Sequence, residues 1–318
     1  MSVLVAWPWV QRWRGLGHCH QADIPVRAVR RGFPWWGSLA VAWTIVWWWL
    51  AWTRQPWLAW AQRYTFTPLW LGFIVTASAL AWGRGAACLM LHAPGKWLPL
   101  FAVSAAFWWV FEWLNRFVAN WHYLGVEQVG PCEYVVHSSV CFSTVLPAVA
   151  AVREWLGTWP RLQAVLAAGP RWSWVRRRGA VAAMIGAGMA GLVLTGAHPR
   201  YFYPALWVAP LLIGVGLSAL RPTGGWWRGI SSGDWRNAGS WALAALVCGF
   251  FWECWNLHSL AKWVYSVPFV QRWQVFEMPL LGYTGYLPFG LVCGLAVAWV
   301  VESKEAGGEA GGADPPKR

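Results

Sequence analysis

Two short motifs place a carboxyl and an amide together inside otherwise apolar stretches: Phe111-Glu112-Trp113-Leu114-Asn115 and Trp252-Glu253-Cys254-Trp255-Asn256. A spacing of three sets both polar groups one turn apart on a single helix face. A charge within a membrane helix costs at least ~2.5 kcal/mol on insertion scales, so a carboxyl there marks either function or a strong local partner. Glu112, Glu253, Asn115 and Asn256, with Glu133 and Glu277 further along, are the candidate catalytic residues, suited to moving protons. The structural alternative is that Glu112 pairs with Arg116 at i,i+4 and that each Glu-Asn pair ties helices together. Leu257 stands where that arginine would be in the second motif, so Glu253 must turn to Lys262, His258 or the other half of the chain.

The groups that would surround a substrate near these motifs are Trp121, Tyr123, His137, His258, Lys262, Trp263, Tyr265, Tyr283 and Tyr286. A metal centre drawn from Glu112, Glu253, His122, His137 and His258 lacks HExxH or comparable spacing, so no metal ligand is assigned, and no cofactor can be named. The run Glu277-Met278-Pro279-Leu280-Leu281-Gly282-Tyr283-Thr284-Gly285-Tyr286-Leu287-Pro288-Phe289 is the most distinctive in the chain. Its glycines and prolines read either as irregular backbone beside a cavity or as a tight helix entry packed by small residues.

The elements that must hold these residues are membrane helices. Hydrophobic residues fill 58% of the 318 positions and charged ones 12%, too apolar for an ordinary soluble domain. Crossing the hydrocarbon core takes about 20 apolar residues. Eight segments qualify: 35–53, 67–83, 97–115, 135–152, 179–197, 204–220, 238–258 and 279–301. The expected fold is an all-α polytopic helical bundle. Its parts are an interfacial N-terminal tail (1–34), a first four-helix repeat (35–152), a basic tryptophan-rich linker (153–178), a second four-helix repeat (179–301) and a disordered tail (302–318).

Charge sets the expected orientation. With the N-terminus in the cytoplasm, the inner segments carry 19 of the 25 basic residues, leaving Arg54, Arg63, Arg116, Arg200, Lys262 and Arg272 outside. The positive-inside rule then predicts both termini in the cytoplasm of a multi-pass inner-membrane protein. A net charge of +13 would suggest nucleic acid on a soluble surface, but here the arginines flank apolar spans, and no nucleic-acid partner is expected. Seven cysteines without a C-x-x-C pair indicate neither a disulfide framework nor a zinc site. The 33 tryptophans fit a GC-rich coding sequence and the preference of indoles for membrane interfaces, and alone they imply no ligand.

An ordered series of matches suggests duplication. Beyond the Glu-x-x-Asn motifs, Trp121-His122-Tyr123 matches Trp263-Val264-Tyr265, Glu133 matches Glu277, Pro147 matches Pro288, and Thr67-Pro68-Leu69-Trp70 matches Tyr203-Pro204-Ala205-Leu206-Trp207 with one residue inserted. Four crossings per half predict parallel repeats about an axis along the membrane normal, with equivalent residues at equal depth.

Through Trp252-Glu253-x-x-Asn256, Lys262-Trp263-x-Tyr265, Pro268 and the string Phe276 to Tyr283, the chain resembles an uncharacterised family of bacterial multipass membrane proteins, mainly over 248–290. The resemblance implies a multi-span fold and no particular activity. In general layout the chain is also similar to membrane carotenoid cyclases and hydratases, which set acidic and aromatic residues among apolar helices.

Three functions stay open. One is an intramembrane enzyme with an outer-side site acting on a lipid or isoprenoid, using Glu112 or Glu253 as proton donor and indoles to face a carbocation. The others are a transporter or proton-coupled channel using the same residues at the repeat interface and a structural or assembly protein. The expected partners are the lipid bilayer and a lipid or isoprenoid ligand; the oligomeric state is open.

Overall fold

The computed structural model describes residues 31–127, 129–220 and 227–310. The expectation for the tail at 1–34 falls largely outside these residues, as does the end of the C-terminal tail. The chain is mostly helical, with six segments long and apolar enough to cross a membrane: Phe66–Gly83, Pro94–Val118, Pro131–Gly157, Arg178–Ala197, Arg236–Asn256 and Leu280–Val301. They fit a multi-pass membrane protein.

Within and between these segments the main helices are α1 (Trp35–Trp52), α2 (Phe66–Gly83), α3 (Pro99–Val118), α4 (Pro131–Phe142), α5 (Val145–Gly157), α6 (Arg178–Ala197), α7 (Ala205–Ala219), α8 (Arg236–Asn256) and α9 (Tyr286–Ala310). The other two expected segments form helices α1 and α7, which are not among these six, for different reasons. Seven of the 18 residues of α1 are tryptophan, whose indole prefers the interface to the hydrocarbon core. Helix α7 has 15 residues, about 22 Å at 1.5 Å per residue, less than the ~30 Å core. The helix leading into the C-terminal tail runs on to Ala310, past the boundary expected at 302. Glu, Lys and Ala in Glu302 to Ala310 are good helix formers and extend a helix already nucleated.

Helix α5 is central: every residue from Val145 to Val152 is buried. It packs against α2, α3, α8 and α9, while α1 lies on α2 and α6 on α7. Close approach of α8 and α9 needs Gly290, where a Cβ would run into the Trp241 carbonyl oxygen. Helices α4 and α5 are one apolar segment broken at Ser143-Thr144, just before Pro147. In an apolar setting the backbone groups freed by such a break must be paired. The buried Ser104 of α3 does this: its hydroxyl donates to the Phe142 carbonyl at 2.6 Å and accepts from the Leu146 N–H at 3.0 Å.

The departure from an all-helical expectation is small and lies at the site. Strand β1 (Trp121–Leu124), just after α3, pairs antiparallel with β2 (Lys262–Tyr265), just after α8. Trp121 lies opposite Tyr265, His122 opposite Val264, and Tyr123 opposite Trp263. Gly125 ends β1 at φ +77, where a Cβ would strike the Leu260 carbonyl oxygen, so glycine alone fits that crossing. A second small pair, β3 (Gln274–Val275) and β4 (Met278–Pro279), leads through a 3-10 turn, Leu280–Gly285, into α9.

Candidate active site

Each Glu-x-x-Asn motif ends a long helix, and each asparagine fastens the strand that follows. Asn115 Nδ2 donates to the Trp121 carbonyl at 2.9 Å, and its Oδ1 accepts from the backbone N–H groups of Asn120 at 2.8 Å and Trp121 at 3.3 Å. Asn256 Nδ2 donates to the Trp263 carbonyl at 2.7 Å, and its Oδ1 accepts from the Trp263 N–H at 2.8 Å. An amide side chain offers both donor and acceptor, so it can replace a missing strand neighbour. The asparagines are thus strand anchors.

The glutamates hold the aromatic side chains of those strands. Glu112 Oε1 accepts from the Tyr123 hydroxyl at 2.5 Å, the Trp108 indole at 2.9 Å and the Trp121 indole at 3.1 Å. Glu253 Oε1 accepts from the hydroxyls of Tyr265 and Tyr286, each at 2.7 Å, and the Trp263 indole donates to the Tyr265 oxygen at 2.8 Å. No ion pair joins Glu112 to Arg116 among the described residues, so that pairing is not formed, while the bond from Tyr286 to Glu253 does tie α9 to α8. Lys262 is taken by Glu277 in an ion pair, and His258 is exposed with its ring edge-on to Trp52 at 5.0 Å, so neither partners Glu253. Glu253 is fully buried and its Oε2 has no hydrogen-bond partner.

Alternation along a strand places Trp121 with Tyr123, and Trp263 with Tyr265, on one face. That face closes a cavity of about 510 Å³. The size suits a small ligand, and the walls are mostly aromatic and aliphatic. Of the expected binding residues, Trp121, Tyr123, His137, Lys262, Trp263, Tyr265 and Tyr286 line it. His258 and Tyr283 do not; the Tyr283 hydroxyl donates instead to the Val275 carbonyl at 3.1 Å. None of the expected catalytic residues Glu112, Glu253, Asn115, Asn256, Glu133 and Glu277 reaches the cavity wall. Glu112 and Glu253 stand one hydroxyl behind it, and Glu133 accepts from the exposed Tyr64 hydroxyl at 2.9 Å. His122 falls on the opposite strand face and is exposed.

The cavity also has walls built from residues that the sequence does not assign to the site. Trp207 of α7 stacks on Phe111 at 5.2 Å and on Trp121 at 5.9 Å, and Trp252 stacks on Tyr286 at 5.9 Å. Trp108 and Phe289 complete this aromatic shell. Burial, reinforced by Glu112 for Tyr123 and by Glu253 for Tyr265, pushes both hydroxyls well above the usual tyrosine range. The two phenols therefore stay protonated at neutral pH and act as donors. Among the described residues no three His, Cys, Asp or Glu side chains gather as metal ligands would. No protein-family model, curated protein or solved structure matches this chain.

Proposed function

We propose that the protein is an intramembrane enzyme that protonates a lipid or isoprenoid double bond within the aromatic cavity, on the outer side of an inner membrane. The observation that carries this reading is the pairing of carboxyl and phenol. Tyr123, Tyr265 and Tyr286 line the cavity, and each hydroxyl donates to a glutamate behind it. At the Glu253 hub, with the carboxyl protonated, the Tyr286 hydroxyl turns from Glu253 to the substrate, its O–H bond breaks as a C–H bond forms, and the Glu253 O–H donates its proton to the phenol oxygen to restore it. The resulting carbocation lies among indole and phenyl faces, which stabilise positive charge. Loss of a proton from a neighbouring carbon returns it to the tyrosine–glutamate pair, giving isomerisation or cyclisation without a co-reactant.

The same reading takes the chain as eight crossings in two parallel four-helix repeats, with both termini in the cytoplasm. The strand register supports it: an axis through His122 and Val264 exchanges the Trp121–Tyr265 pair with the Tyr123–Trp263 pair. The test is a comparison of lipid extracts from cells producing the wild-type chain, Tyr286→Phe or no chain. The expected result is one lipid consumed, with an isomer of equal mass formed, only with wild type. Identical extracts from wild type and Tyr286→Phe, with both folded in the membrane, would refute catalysis through this hub.

A further inference from the structure

A mostly apolar cavity in a membrane protein needs a reason to hold a cation. Arg63, in the 3-10 turn Gln62–Tyr64 between α1 and α2, lines the cavity and is half-buried. Among the described residues its guanidinium has no hydrogen bond and no ion pair. The carboxylates of the neighbouring loops make their hydrogen bonds to other groups, Glu133 accepting from Tyr64 and Glu127 from the Gly125 N–H at 3.0 Å, so that Glu127 acts on Arg63 only through its field, without an ion pair. Lys262, the other cation on the wall, is neutralised by Glu277.

An independent observation concerns another residue lining the same cavity. Asn120 is 4% exposed and lines the cavity, and its Oδ1 has no partner. Its main chain is fixed on both sides, since its N–H donates to Asn115 and its carbonyl accepts from the Ser266 N–H at 2.8 Å. A buried amide left unpaired costs about 1–3 kcal/mol, so its side chain is held ready for a polar group that enters the cavity. The amide can present either its oxygen or its N–H groups there.

We propose that the cavity takes an amphipathic ligand whose phosphate or carboxylate head is bound by Arg63 and Asn120 while its apolar body fills the aromatic chamber. The proposal rests on the reading of the cavity as a lipid or isoprenoid site and adds the charge of the head. A guanidinium matches the two oxygens of such a head with parallel N–H donors, which a single ammonium cannot do. An arriving anion gives the half-buried guanidinium a charge-assisted hydrogen-bond partner.

The test uses the full chain in detergent micelles and three probes: a fifteen-carbon prenyl monophosphate, the matching neutral prenol, and inorganic phosphate. Binding is read by calorimetry. Wild type is expected to prefer the prenyl phosphate to the prenol by about tenfold or more, with inorganic phosphate far weaker than either. Arg63→Gln is expected to remove that preference while leaving prenol affinity unchanged, and Arg63→Lys to keep part of it. Unfolding midpoints of both variants equal to wild type show that the fold is intact. Equal affinity for the two prenyl probes, or a preference that survives Arg63→Gln, overturns the anionic head and leaves the apolar cavity reading standing. If neither prenyl probe saturates wild type, both readings fall. Inorganic phosphate binding as tightly as prenyl phosphate overturns the lipid class and leaves a site for a free anion.

Discussion

Glu112 and Glu253 occupy the same place in the same aromatic-Glu-x-x-Asn pattern, yet their surroundings differ. Glu112 is half-buried, and three donors, two of them indoles, converge on one of its oxygens. Glu253 is wholly buried, accepts from two phenols and keeps an oxygen with no partner. Indole N–H groups hold their protons at any accessible pH, so the first hub is chiefly a clamp on aromatic rings. Two phenols in contact with one carboxyl, both facing the cavity, make the second hub the better proton path. The same short pattern thus sits in two different surroundings, and the proposed proton transfer is assigned to the Glu253 hub.

The sharpest break between the hubs is in turnover. Glu253→Gln keeps the shape and an acceptor oxygen but removes the exchangeable proton, and a lost acid catalyst costs roughly 10²–10⁴ in rate. Glu112→Gln is expected to cost less than about tenfold, because its role is to hold Tyr123, Trp108 and Trp121 in place. The check is the time course of the lipid change in membranes containing equal amounts of each folded variant. Equal losses in the two variants would make the hubs functionally symmetric and remove the distinction drawn above.

Stability offers a second way to separate the halves. Asn256→Ala strands the N–H and carbonyl of Trp263 in a buried place, where the asparagine itself is 2% exposed; about 2–4 kcal/mol is expected. Asn115 is only half-buried, so water can replace part of what Asn115→Ala removes, and about 1–2 kcal/mol is expected. Unfolding of the two variants by denaturant in micelles gives the order directly. A larger loss at Asn115 would show that the first strand, not the second, anchors the roof of the cavity.

How far the sequence foretold this site depends on what kind of signal each part carries. Long apolar runs mark helices, and six of the eight expected segments coincide with a helix within a few residues; the fourth is split at Ser143-Thr144, and the eighth opens on the 3-10 turn Leu280–Gly285 before α9 begins at Tyr286. The Glu-x-x-Asn motifs stood out because a carboxyl in an apolar helix is rare. Their task was less legible: which way Glu253 points depends on helix rotation, and that is fixed by packing among residues such as Trp70, Trp252 and Trp255. The β1–β2 pairing was hidden because Trp-x-Tyr reads equally well as an interfacial anchor. Trp207 reads only as part of the repeat match with Trp70, and Trp108 is one of 33 tryptophans among which no single indole carries a site signal. Arg63 reads in the sequence only as a charge between apolar segments, and Asn120 carries no signal of its own beside the asparagine five residues earlier.

The smallest difference between the halves is one residue of loop. From Asn115 to Trp121 is six positions, and from Asn256 to Trp263 is seven. The shorter return must turn more sharply, and it does so through Ala119 at φ 49, a left-handed conformation that costs a residue with a Cβ about 1–2 kcal/mol. The longer return has Leu257 at φ −48 and ψ −48, an ordinary helical conformation. Ala119→Gly relieves the strain but frees the unfolded chain, so a net gain of about 0.5–1 kcal/mol is expected. Leu257→Gly should instead lose about 1 kcal/mol relative to Leu257→Ala, because glycine is unfavourable in helical backbone. Opposite signs in unfolding midpoints at these two loop positions would tie the strain to the missing residue. A loss of stability in Ala119→Gly would mean that the turn is held by its packing, and that the short loop stores no strain.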